Sequence, residues 1–155
     1  MLPRSESEAV LKRRPRLCLG FIHEHLAQAY GVTLSERQRG EPHTRGAEEI
    51  LERIAVEDPR PLSQARPPGE RFAGCCRHYT LLHVAMLRSK GIAARARCGF
   101  GAYFAKGKFG DHWVTEYFDE ARRQWILSDA QIDDRQRALF DIDFDTLDVP
   151  RDRFL

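Results

Sequence analysis

No apolar run in this sequence approaches the ~20 residues needed to span a bilayer. The apolar stretch nearest the N-terminus, Leu17 to Ile22, is short and is broken at once by His23, Glu24 and His25. A secretory signal of the usual form is therefore not expected. Cysteine is scarce: Cys18, Cys75, Cys76 and Cys98 are the only four. In a chain without a signal they are expected to be reduced thiols rather than a disulfide framework, which points to the cytoplasm and leaves a thiol free for chemistry. Charge of one sign is not in excess. The formal net charge is +2 and arginine is interleaved with Asp and Glu, so nothing in the balance calls for nucleic acid. The one basic cluster, Lys12 to Arg16, reads as a solvated surface. Internal repeats and low-complexity tracts are lacking too.

At 155 residues, 42% of them hydrophobic, the chain is expected to form a single domain over 1–155 with a real core. The most strongly patterned part is about 60–133. The chain stops just after an apolar pair without an evident cap, an ending expected of a C-terminally truncated fragment.

The fold class expected is α+β. Leu19, Ile22, Leu26 and Ala29 share a helical face over 17–30, with Gly31 as a natural stop. Thr44 is placed to cap a second helix striped by Ala47, Ile50, Leu51 and Ile54, ended by Asp58-Pro59. The proline-rich stretch from Glu57 to Gly74 reads as an extended connection. A third helix, from about Cys76 to Lys90, is apolar nearly all round and therefore buried, and Gly91 breaks it. The period then changes to two. Ala94, Ala96 and Cys98 alternate with Arg95, Arg97 and Gly99 as in a half-buried strand. Residues 112–119 and 125–130 read as two further strands of an antiparallel meander. A short helix is expected around 134–140, followed by an irregular tail.

Three features coincide in this arrangement. Cys76 sits at the start of the buried helix, where the macrodipole and unpaired N–H groups favour a thiolate. His112 opens the next long strand, where it can exchange the thiol proton and later protonate a leaving group. Asp129 lies near the end of the strand after that, where it can bond the far ring nitrogen and fix its tautomer.

The segment GCCRHYTLLHVAMLRSKGIAARARCGF resembles the nucleophile region of transglutaminase-like proteins: Gly, any residue, Cys, then an apolar helix and a strand. DHWVTEYF resembles that superfamily's histidine strand, and WILSDAQID its aspartate strand. The resemblance covers 74–133; the flanks resemble an uncharacterised bacterial branch. It implies a papain-like core and acyl transfer through a thioester on a peptide or protein amide, with Cys76, His112 and Asp129 as catalytic residues. Hydrolysis is the favoured outcome, and transamidation is the other. No cofactor, metal, nucleic acid or membrane partner is implied. The chain departs from the pattern in three places: His78 stands where many relatives have an acidic residue, Trp113-Val114 inverts the usual order, and Ala130 replaces a common proline. The CxxC pairs of peptide N-glycanases are lacking. Gln64 is a candidate second oxyanion donor by side-chain type.

Taken singly, each of these residues has a plainer reading. Cys98, Trp113 and Trp125 are expected in packing, with Trp113 also placed to shape a substrate cleft, and His83 as a hydrogen-bonded core residue. Cys75 and Cys76 diverge by ~100° on a helix, which argues against zinc. His23, His25 and His43 carry no spacing signal. GFGAYFAKGKFG joins two strands rather than opening a helix, so it is not a phosphate loop. The rival functions are a non-catalytic peptide-binding domain on the same fold and an arylamine acetyltransferase-like enzyme.

Overall fold

The computed structural model describes residues 16–155 of the chain, so most of the basic cluster at 12–16 lies outside the described residues. The stretch expected as one helix over 17–30 is divided. A 3-10 turn (Arg16–Leu19) precedes strand β1 (Phe21–His23), and a second 3-10 segment covers Glu24–Tyr30. The reason is tertiary. β1 pairs in parallel with β2 (Phe72–Gly74), in the register Phe21↔Phe72, Ile22↔Ala73 and His23↔Gly74. Consecutive Phe21 and Ile22 are both buried, one on each face of this ribbon. Such two-sided burial overrides a helical period. β2 lies within the stretch expected to be an extended connection.

Ser35 caps a short helix α1 (Glu36–Gly40), and Gln38 of that helix reaches on to the Arg71 carbonyl at 2.8 Å. Helix α2 (Ala47–Glu57) begins after Gly46, not at a Thr44 cap. Thr44 has another task, because its carbonyl accepts from Arg77 and His78 of the following helix, α3 (Cys76–Ser89). α3 is C-capped by Lys90, just before Gly91, as expected. Phe21, Ile50, Ile54, Phe72, Tyr79 and Leu82 form one buried cluster joining β1, β2, α2 and α3. Each such side chain contributes roughly 1.5–3 kcal/mol on burial, far more than helix propensity supplies per residue. Packing is therefore what fixes the start of α3.

Strands β3 (Ala94–Gly101), β4 (Gly110–Asp119) and β5 (Gln124–Ser128) form the antiparallel meander in the order β3-β4-β5. With the helices this is an α+β fold. α3 covers one end of the sheet through Val84, Leu87, Ile92, Ala94, Tyr117 and Ile126. The expected alternation on β3 holds at Ala94 only: Ala96 and Cys98 are exposed, because α3 does not reach them. Trp125 is half-buried rather than in the core, with the Arg95 guanidinium 4.2 Å above its ring. The opposite face carries Val114, Leu127, Ile132, Ile142, Val149 and Phe154, so the C-terminal tail packs on the sheet. Among the described residues no helix is long and apolar enough to cross a membrane.

The tail closes over Gly99, the residue paired with His112 across the meander. Phe100 and Leu155 exchange backbone hydrogen bonds there, at 2.8 and 3.0 Å. A Cβ on Gly99 would lie 2.7 Å from the Phe154 ring and tighter still on the Leu155 carbonyl. Gly99→Ala is therefore expected to lift the tail and destabilise the protein by about 1–3 kcal/mol. A lowered urea midpoint checks this; an unchanged midpoint would show that the tail does not hold the strand.

Candidate active site

β2 delivers the chain to the N-terminal end of α3. Gly74 ends the strand, Cys75 is the N-cap, and Cys76 is the first helical residue. Gly74 is needed by close approach, since a Cβ there would come within 3.1 Å of the His78 Cβ. His78 folds back over that space. Its Nδ1 accepts the Cys75 N–H at 3.0 Å, and its Nε2 lies 2.9 Å from the Thr44 carbonyl oxygen. A carbonyl can only accept, so Nε2 carries the ring proton and Nδ1 presents a lone pair. His78 thus does the work of the Glu or Gln in a capping box. This explains the departure from an acidic residue at that position. Cys75 Sγ lies 3.3 Å from the same Nδ1.

The neighbouring thiols contact one another, so their ionisations are linked. On contacts and charges alone the easier one falls on Cys75, drawn down by the Cys76 S–H against its own burial, then by His78 and by the Arg77 N–H. Cys76 is pushed up by Cys75 and by burial, and pulled down by the backbone N–H groups of Trp113 and Arg77.

β4 reaches further than β5. The two pair only from Thr115↔Ser128 onward, so along Gly110–Val114 the strand has β3 on one side alone. On the free side the Trp113 N–H meets the Cys76 sulfur, which sets the thiol against the residue following His112.

Asp129 stands one residue beyond β5, held by its N–H to the Thr146 carbonyl at 2.7 Å. Its Oδ2 accepts from His112 Nε2 at 2.7 Å and from the Tyr103 hydroxyl at 2.7 Å. Its Oδ1 accepts the Gln131 N–H at 3.0 Å. His112 and Asp129 are 3% and 2% exposed, so this network is closed to water. With Nε2 donating to the carboxylate, His112 Nδ1 is the ring nitrogen left to exchange a proton. The Phe104 and Tyr103 rings stand edge-on to the imidazole at 4.7 and 5.9 Å and fix its plane. Burial and the Asp129 charge hold the Tyr103 hydroxyl well above its ordinary range, so it remains a donor.

Sequence reasoning missed Tyr103, Phe104 and the Gln131 amide. The signal for the first two is an aromatic pair inside the glycine-containing β3–β4 connection. The sequence also gave no weight to His23, which the β1–β2 register sets opposite Gly74. Gln64 is exposed on the loop before β2, and no hydrogen bond joins its side chain to the site among the described residues. His83 is buried as expected, yet its Nδ1 lacks the expected hydrogen bond, and burial lowers its pKa to about 4. His25 and His43 are exposed. Among the described residues no group of three or more His, Cys, Asp or Glu side chains is placed to hold a metal ion.

The family model of the transglutaminase-like superfamily matches residues 27–130, a span that includes Cys76, His112 and Asp129. No curated protein and no solved structure matches the chain. With about two thirds of its length under that match, the chain belongs to the transglutaminase-like superfamily.

Proposed function

We propose that this protein carries out cysteine-dependent acyl transfer on the amide bonds of a peptide or protein, in the cytoplasm, with Cys76 as nucleophile, His112 as base and Asp129 as orienting acid. The observation that carries this reading is the buried His112–Asp129 pair, which leaves Nδ1 available on the strand whose next N–H meets the Cys76 sulfur. Superfamily membership supports the reaction class at the coarse level.

The bonds of His78 favour Cys76 over Cys75. A thiolate on Cys75 would face the Nδ1 lone pair at 3.3 Å, and that nitrogen already accepts the Cys75 N–H. The Cys75 S–H can instead point to Nδ1 at rest and turn to the Cys76 sulfur when charge develops there. A Cys76 thiolate then has the Cys75 S–H and the N–H groups of Arg77 and Trp113; the Arg77 N–H also reaches Cys75, so the Trp113 N–H is the donor that Cys76 alone has. Donors count for more than proximity to a ring that cannot donate.

The steps follow from these positions. The S–H proton passes to His112 Nδ1 as sulfur bonds to the amide carbon, and the carbonyl π pair moves to oxygen. The tetrahedral centre collapses, the C–N bond breaks, and the Nδ1 proton leaves with the nitrogen as amine or ammonia. Asp129 stabilises the transient imidazolium through Nε2–H. Water, deprotonated by the same nitrogen, then cleaves the thioester. Hydrolysis is the outcome favoured, and a primary amine in place of water gives transamidation.

The test uses an activated ester, p-nitrophenyl acetate, as acyl donor. Peptide mapping is expected to find an acetyl thioester on Cys76 that hydroxylamine removes, and turnover is expected to yield mainly acetate in the presence of a primary amine. Acetylation elsewhere, or none, would overturn the nucleophile assignment. Predominant acetylation of the amine would make the protein a transamidase.

A further inference from the structure

The tetrahedral centre places negative charge on the former carbonyl oxygen, and a site for it needs two donors. The Cys76 backbone N–H supplies one, because the first N–H groups of a helix have no intrahelical acceptor. Resting on the reading of Cys76 as nucleophile, we propose that the second donor is the Nε2–H of His23, a catalytic residue delivered by β1.

Three observations carry this. The first is placement. His23 is the Cα partner of Gly74, two residues before Cys76, so β1 and the approach to the nucleophile are locked in register. Alternation along β1 puts His23 on the same face as Phe21, and Phe21 packs on Phe72 and on Tyr79 of α3 at 5.2 and 5.3 Å. That face looks toward the N-terminal end of α3. The electrostatic neighbours of the ring agree: Cys75, His112 and Asp129 all act on it, as does His25.

The second is the tautomer. His23 Nδ1 accepts the His25 N–H at 3.3 Å, so the ring proton sits on Nε2, which has no acceptor among the described residues. The ring is half-buried, and Nε2 is its one unspent donor.

The third is charge state. Burial pushes His23 down to about 4, with His25 and His112 adding to the effect against the pull of Cys75 and Asp129. At neutral pH the ring is therefore an uncharged donor. It can hydrogen-bond a developing oxyanion without competing with His112 for the thiol proton. The donor sits on a paired strand rather than a loop, so its position is fixed before substrate arrives.

The experiment separates this role from a structural one by using two reagents on the full chain. Acylation of Cys76 by p-nitrophenyl acetate passes through an oxyanion, whereas alkylation by iodoacetamide is a direct displacement at carbon that forms none. His23→Ala is expected to slow acylation by about 10²-fold or more while leaving Cys76 alkylation within about twofold of the unaltered chain. His23→Gln, which keeps a side-chain N–H, is expected to recover most of the acylation rate. Unchanged acylation in His23→Ala, an equal fall in both reactions, or no recovery in His23→Gln would each overturn the assignment. If the unaltered chain is alkylated at Cys76 but never acylated there, the nucleophile reading itself fails, and that result is distinct from the other three.

Discussion

Asp129→Asn is expected to cut acyl transfer by about 10³–10⁴-fold while leaving the protein folded. The carboxylate accepts three donors at once: His112 and Tyr103 on Oδ2, and the Gln131 N–H on Oδ1. An amide has only one oxygen to offer. With that oxygen at the Oδ2 position, the new NH₂ group faces the Gln131 N–H. With the amide turned over, the NH₂ faces the Tyr103 hydroxyl and His112 Nε2. Two strong donors make the second orientation the worse one unless His112 moves its proton to Nδ1, and that tautomer cannot accept from Cys76. The first orientation opposes two buried donors, costing about 1–3 kcal/mol of stability, whereas the second, once the His112 proton has moved and the Tyr103 hydroxyl accepts, satisfies every partner and holds the inactive tautomer. The Asp129 backbone bond to Thr146 survives the change, so the chain still folds. Acylation kinetics and a urea melt check the two parts. Full activity in the variant would remove Asp129 from the mechanism.

The parts of the fold that could be read in advance were those where local pattern and tertiary packing agree. α3 is apolar nearly all round, and it is buried under β1, β2, α2 and the sheet. The meander appeared at the expected place because β-branched and aromatic residues alternate with turn residues there. Misreadings arose where long-range pairing decided the outcome. The helical period of 17–30 is genuine as a pattern, yet Phe72–Gly74 recruits Phe21–His23 into a strand more than forty residues away in sequence. Ala96 and Cys98 keep a strand's alternation, but alternation does not reveal that α3 covers only one end of β3.

The candidate site divides in the same way. Cys76, His112 and Asp129 could be singled out in the sequence because residue type, element and order all match one chemistry. Tyr103 and Phe104 belong to a connection whose loop composition hides their contact with His112. His23 is invisible without the β1–β2 register, since nothing nearby in sequence marks it. His78 looked like a departure from the family pattern and is better understood as a local replacement. A histidine whose Nδ1 accepts the Cys75 N–H caps α3, while its Nε2 anchors to Thr44.

The proposed acyl transfer turns on which of two adjacent thiols reacts. Sulfur contacts and charge favour an ionised Cys75, while the tautomer of His78 and the Trp113 N–H on the Cys76 sulfur favour Cys76. Limited iodoacetamide at about pH 6, well below the ordinary thiol pKa of ~8.5, followed by peptide mapping, decides between them directly. Cys76 is expected to be labelled well before Cys75, Cys18 or Cys98. His112→Ala is expected to remove this preference by taking away the group that accepts the Cys76 proton. Preferential labelling of Cys75, equal labelling of all four, or a preference for Cys76 that survives His112→Ala would contradict the assignment of Cys76 as nucleophile.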